Sequence, residues 1–153
     1  MTLMHSVCLL AVAGSACAGA RSPTVGTSAS NDLLVQAYTF GLDSLASGEN
    51  AHAQPCLSID KGRAGSDPPA AVLGVLRKRH AAVLVHSQCS KMFQDLAAVH
   101  DTILIAVSLD SVAMNRVSLR TWRSGLWGAG YSCAVRKREN AWILEQCRME
   151  WIS

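Results

Sequence analysis

Charge is missing from the first 20 residues: MTLMHSVCLLAVAGSACAGA holds no Lys, Arg, Asp or Glu. A run of ~20 apolar residues, which a spanning helix needs, is missing too. The apolar stretch 7–13 (VCLLAVA) has the length of a signal-peptide h-region, and small residues follow at Ala16, Ala18 and Ala20. Charged residues are scarce overall, at 16%, against 50% hydrophobic. That balance excludes a disordered chain, which needs low hydrophobicity and high charge. The formal charge of +3 lacks the dense basic footprint of a nucleic-acid binder. No Cys-x-x-Cys pair exists, and His52, His80 and His100 fall at no metal-ligand spacing. No metal and no cofactor are expected.

These gaps leave an exported chain. Residues 1–20 read as a cleavable signal peptide, 21–30 (RSPTVGTSAS) as a linker, and 31–153 as a single α+β domain, long enough for one hydrophobic core. A second ending is written into the leader. Gly14-Ser15-Ala16-Cys17 approaches a lipoprotein motif, in which Cys17 would be acylated, although Gly14 stands where a Leu-like residue is expected. The product is therefore periplasmic or secreted, with a lipoprotein anchored through Cys17 as the alternative.

The pattern along the mature part predicts helices early and strands late. Ser30 can cap a helix carrying Leu34, Tyr38, Gly41 and Leu45, with Gly48 as its stop. Residues 56–60 form a short strand and 61–66 a glycine-containing loop. Asp67-Pro68-Pro69 starts a second helix, with Asp67 as cap and Val72, Leu73 and Leu76 on one stripe. Arg77, Lys78, Arg79 and His80 then sit at its negative end. Residues 82–86 form a buried strand, and 87–100 are ambiguous. Strict alternation at Ile103, Ile105, Val107 and Leu109 marks a strand, and 115–123 alternates again. Residues 127–137 and 142–151 pair as a hairpin. The expected architecture is an antiparallel sheet, a C-terminal meander, with one or two helices packed on one face.

Four cysteines outlast either processing route: Cys56, Cys89, Cys133 and Cys147. An even count in an oxidising compartment predicts two disulfides, with three connectivities open. Cys133 and Cys147 lie nearly equidistant from the last turn, so they are expected to pair, leaving Cys56 to Cys89.

Candidate chemistry is sparse. His86 near Cys89, with Asp60 or Asp101 as an orienting carboxylate, would suit a nucleophilic dyad. A His at a strand end beside a disulfide explains the same residues. Gly125, Gly128 and Gly130 open no helix and so form no phosphate loop; among strands they mark bulges or tight bends. Even-numbered strand positions carry Arg116, Arg120, Trp122, Arg136 and Arg148, whereas Cys133, Val135, Ile143, Cys147, Met149 and Trp151 share the odd ones. Strands in register would gather the arginines and Trp122 on one face, suited to sugars or phosphates, or simply solvated.

The tail 130–142 (GYSCAVRKRENAW), closing with 150–153 (EWIS), resembles the final hairpin of small exported bacterial proteins of uncharacterised function. The likeness covers that hairpin alone and implies no catalytic residue. The sequence thus points to a non-catalytic envelope protein, structural or ligand-binding. Its partner would be an anionic envelope polymer or another envelope protein, not nucleic acid, and a membrane only through Cys17. The alternative is a small hydrolase-like enzyme using His86.

Overall fold

The computed structural model describes residues 27–45, 51–61, 64–91, 102–109, 115–123, 127–139 and 141–153. The expected leader, Cys17, Gly48, His100, Asp101 and Gly125 lie outside them. The elements run α1 (Thr27–Leu45), β1 (Gln54–Lys61), β2 (Ala64–Ser66), α2 (Ala70–Leu76), β3 (Leu84–Val85), α3 (His86–Cys89), β4 (Thr102–Ser108), β5 (Arg116–Arg123), β6 (Trp127–Arg138) and β7 (Ala141–Ile152). This is the expected α+β class, with a mostly antiparallel seven-stranded sheet ordered β2-β1-β4-β5-β6-β7 and β3 added beside β1.

The core lies on one side of the sheet. Period-two alternation sends Ile103, Ile105 and Val107 of β4, Val117 and Leu119 of β5, and Cys133 and Val135 of β6 to that side, all buried. α1 covers them with Leu33, Leu34, Ala37, Tyr38, Leu42 and Leu45, a stripe at helical spacing. Gly41 lies on the same stripe, and a Cβ there would press on Ile105 and Leu119, so the helix gains close approach where it loses propensity. α2 joins the layer through Val72 and Leu76. Gln36 ties α1 to the edge strand: its amide donates to the Trp142 carbonyl at 3.0 Å and accepts from the Leu144 N–H at 2.8 Å. These bonds satisfy edge backbone that β7 would otherwise offer to another strand.

The meander β4 to β7 is antiparallel throughout, as the alternation predicts. Its last turn joins Arg138 to Ala141 with positive φ at Glu139, the geometry a two-residue loop needs to match strand twist. Two irregularities in the β6–β7 register correct the expected faces. Cys133 stands opposite Cys147, but Val135 then pairs with Leu144; Tyr131 pairs with Met149, but Gly130 with Trp151. Each shift reverses the parity of β7 relative to β6. Trp151 and Ile143 therefore leave the face of Cys133 and Cys147, and Leu144 takes the place expected of Ile143.

The other half departs further from the pattern. β1 runs parallel to β4 and to β3, and antiparallel to β2. Residues 64–66 of the expected loop are thus a strand, and the expected strand 82–86 shrinks to Leu84 and Val85, because His86 already opens α3. α1 begins at Thr27, so the end of the expected linker is helical. α2 begins at Ala70 with Pro69 at the cap position. Asp67 does not cap it. Its carboxylate accepts the Ser87 N–H and hydroxyl, each at 2.7 Å, and so fastens the first turn of α3. These bonds, the hydroxyl first and then the N–H, hold the Asp67 carboxyl below the usual carboxylate range.

Both expected disulfides are present, Cys56–Cys89 and Cys133–Cys147. Such bridges are the mark of a compartment where thiols oxidise. Among the described residues no helix is long and apolar enough to cross a membrane.

Candidate binding face

The side of the sheet away from α1 collects the even positions of β4, β5 and β6. The register places Leu104 beside Trp122 and Gly128, Ala106 beside Arg120 and Gly130, and Ser132 beside Arg148. Arg116 pairs with Ala134, and Arg136 with Ile143. All five residues expected on the arginine face, Arg116, Arg120, Trp122, Arg136 and Arg148, therefore share one side. The β7 shift adds Trp151, which simple alternation assigned to the other side.

The two indoles meet edge to face, with ring centroids 6.5 Å apart and planes at 67°. Two glycines of β6 make room for them. A Cβ on Gly128 would press on both rings, and one on Gly130 would collide with the Trp151 indole. These glycines are thus the bed of an aromatic pair. Only Gly130 borders a register shift. Trp122 and Trp151 remain 41% and 38% exposed, so the pair presents apolar surface on a face that also carries arginines.

The arginines are not equivalent. Arg120 Nη2 binds Asp60 Oδ2 at 3.1 Å, and Arg136 Nε binds Glu145 Oε1 at 3.0 Å. Arg116 and Arg148 make no ion pair among the described residues. They line a hollow of about 390 Å³ with Ser132 and Ala134 between them and Glu150 at its side. Small residues on β6 leave both guanidinium groups reachable from above.

At the other end of the face, β1, β2 and α3 enclose a smaller hollow of about 200 Å³, lined by Ser58, Asp60, Gly65, His86 and Trp122. Ser58 lies where the free edge of β1 passes from β3, paired at 56 and 57, to β2, paired from 59 onward. The buried Tyr38 hydroxyl donates to its carbonyl at 2.7 Å, and burial pushes the phenol pKa up. On the open side, Ser58 Oγ lies 3.2 Å from His86 Nδ1.

This geometry changes the expected His86 chemistry. The Cys89 sulfur is bonded to Cys56, so it is not a thiolate beside His86. Asp60 pairs with Arg120, and among the described residues no hydrogen bond or ion pair joins it to His86. What His86 meets is Ser58, a residue to which the spacing around His86 does not point. Ser58, Gly65 and Trp151 carry no signal in local spacing, because strand pairing alone brings them to the face. Among the described residues no cluster of three or more His, Cys, Asp or Glu is placed to hold a metal.

Comparison with family models, curated proteins and solved structures gave no match. What the fold and face define is an α+β domain whose sheet carries α1 and α2 on one side and a tryptophan–arginine surface on the other.

Proposed function

We propose that this chain is an exported, non-catalytic binding module of the cell envelope, whose open sheet face takes an anionic polymer. The observation that carries the proposal is the pair Arg116 and Arg148, without carboxylate partners among the described residues, flanking a hollow floored by small side chains. Guanidinium forks match carboxylate and phosphate oxygens in two-point contacts. The exposed indoles farther along the face supply apolar area for the polymer's backbone. In this proposal residues 1–20 are removed on export to the periplasm or medium, with acylation at Cys17 as the alternative tether.

The test is retention on immobilised polygalacturonate across a salt gradient. Exposed charges are screened within ~10 Å at 0.1 M salt, so retention should fall as salt rises. Arg116→Ala with Arg148→Ala should elute far earlier at an unchanged melting temperature. Salt-independent retention, or a double variant that elutes like the parent, would remove the proposal. Intact mass of the mature protein, reduced and oxidised, reports the cleavage point and any acyl chain.

One observation favours a second reading, a hydrolase-like site in which His86 activates Ser58 across their 3.2 Å contact. Ser58 is only 2% exposed, which limits approach to its hydroxyl. Labelling of Ser58 by a fluorophosphonate, abolished by His86→Ala, would establish that reading; absence of labelling favours the binding module.

A further inference from the structure

We infer that the hollow between β1, β2, α3 and β5 is a subsite for one neutral sugar ring. This inference rests on the reading of the sheet face as a binding surface and names what its β1 end accepts. The hollow is about 200 Å³, below the ~300–1,000 Å³ of pockets for drug-sized ligands, so it takes a single ring. One wall is the indole of Trp122, held in place by Trp151 and by the missing side chain of Gly128. A flat aromatic wall suits the C–H face of a pyranose.

The polar groups opposite decide between a sugar and an anion. The Asp60 side chain is 13% exposed and already holds Arg120. An incoming carboxylate or phosphate would meet that carboxylate and compete with it for the guanidinium. A polyol meets no such repulsion. Its hydroxyls can donate to Asp60 and accept from the N–H groups of Arg120 that the ion pair leaves over. His86, its Nδ1 held against the buried Ser58 hydroxyl, adds an imidazole ring to the lining. The site is also braced. The Cys56–Cys89 bridge pins α3 to β1, Asp67 fastens Ser87, and Gly65 leaves the space that His86 and Ser58 occupy. A Cβ at Gly65 would fall on the His86 ring and near the Ser58 hydroxyl.

The two ends of the face thus divide the work: Arg116 and Arg148 meet charge, and the Trp122 hollow meets a neutral ring. An envelope polymer with alternating acidic and neutral residues, or with a neutral end, fits both at once.

The test is a titration of the oxidised protein with the methyl glycosides of glucose, galactose and mannose, with N-acetylglucosamine, and with inorganic phosphate and adenosine as counter-probes. The readout is the indole N–H resonances of the tryptophans. At least one sugar should shift the Trp122 signal saturably, and phosphate should not. Trp122→Ala and Gly65→Ala should each weaken that sugar roughly ten-fold or more. Asp60→Ala, freeing Arg120, should lose the sugar and gain phosphate, an exchange that mere loosening of the fold does not produce. Failure of every sugar to shift Trp122, equal binding of adenosine, or sugar binding that survives Trp122→Ala and Asp60→Ala would each overturn the inference. Polygalacturonate retention through Arg116 and Arg148 is read separately, so loss of sugar binding with retention intact sinks the subsite alone. Sugar binding without retention sinks the polymer proposal alone.

Discussion

The two halves of the sheet are built on different principles. Strands β4 to β7 pair with their neighbours in sequence, antiparallel, and close on a hairpin bridged by Cys133–Cys147. Strand β1 pairs locally and antiparallel with β2, but parallel and across long separations with β3 and β4, and this half is laced by two short helices and Cys56–Cys89. Local pairing organises the meander before any disulfide forms. The crossover half must close long loops first, which costs chain entropy that its few strand residues repay slowly. The difference teaches where the protein needs its covalent tie and where the tie only reinforces.

Removing each bridge gives the largest effect and the sharpest form of that contrast. Loop entropy assigns about 4 kcal/mol to the 33-residue separation of Cys56 and Cys89, and about 3 to the 14-residue one. Strand pairing already restrains the hairpin loop, so its loss should fall below that figure. Denaturant melts of the two double Cys→Ala variants should therefore rank Cys56/Cys89 as the more damaging; the reverse order would break the comparison. Non-reducing peptide maps should show these two pairings, and a Cys56–Cys133 peptide would refute the strand order.

A core truncation comes next. Leu76 is 2% exposed, and Leu76→Ala should cost about 2–3 kcal/mol, the lower part of the usual range, because short α2 can settle into the space. A loss near zero would show that α2 lies loosely on the core. Tyr38→Phe is smaller but pointed. It leaves the Ser58 carbonyl without the hydroxyl at 2.7 Å, at a cost of about 1–3 kcal/mol. It should also loosen the sugar hollow while leaving the arginine hollow unchanged, as the same titrations would read.

How much of this was legible follows the same division. Alternation at Ile103, Ile105 and Val107 and at Val117 and Leu119 fixed strand and face together, and the β4–β5 and β5–β6 registers both pair even positions with even ones, so the parity carries from strand to strand. It therefore placed Arg116, Arg120, Trp122, Arg136 and Arg148 on one side. It misplaced Trp151, since apolar and polar residues still alternate from Cys147 to Trp151 across the shift, and Ile143, since the apolar run Trp142-Ile143-Leu144 assigns no face. In the crossover half, Ala64, Gly65 and Ser66 have little strand propensity and pair only because β1 supplies the edge. Asp67 before two prolines has the composition of a cap, yet its partner is Ser87, twenty residues on. Asp60 was visible as a carboxylate, but its partner Arg120 is set by the parallel register of β1 on β4, which local pattern does not encode. The β1 end of the face was hidden for that reason.

The smallest effect is acid loosening of the crossover half. Asp67's folded pKa lies below its ordinary value, so the tie to Ser87 contributes above that ordinary value and is lost as pH falls through the folded one. Hydrogen exchange at the Ser87 amide should therefore quicken relative to meander amides below pH ~4, and Asp67→Asn should flatten that dependence. Equal response in both halves would remove Asp67 as the tie.

The binding face stands on the shift between Gly130 and Tyr131 that turns Trp151 toward Trp122. Nuclear Overhauser contacts of the Trp151 indole in the oxidised protein read that directly. The expected result is contacts from Trp151 to the Trp122 ring and to the Gly128 and Gly130 α-protons. Contacts from Trp151 to Phe40 and Tyr131 of the helix-covered side, with none to Trp122, would contradict it.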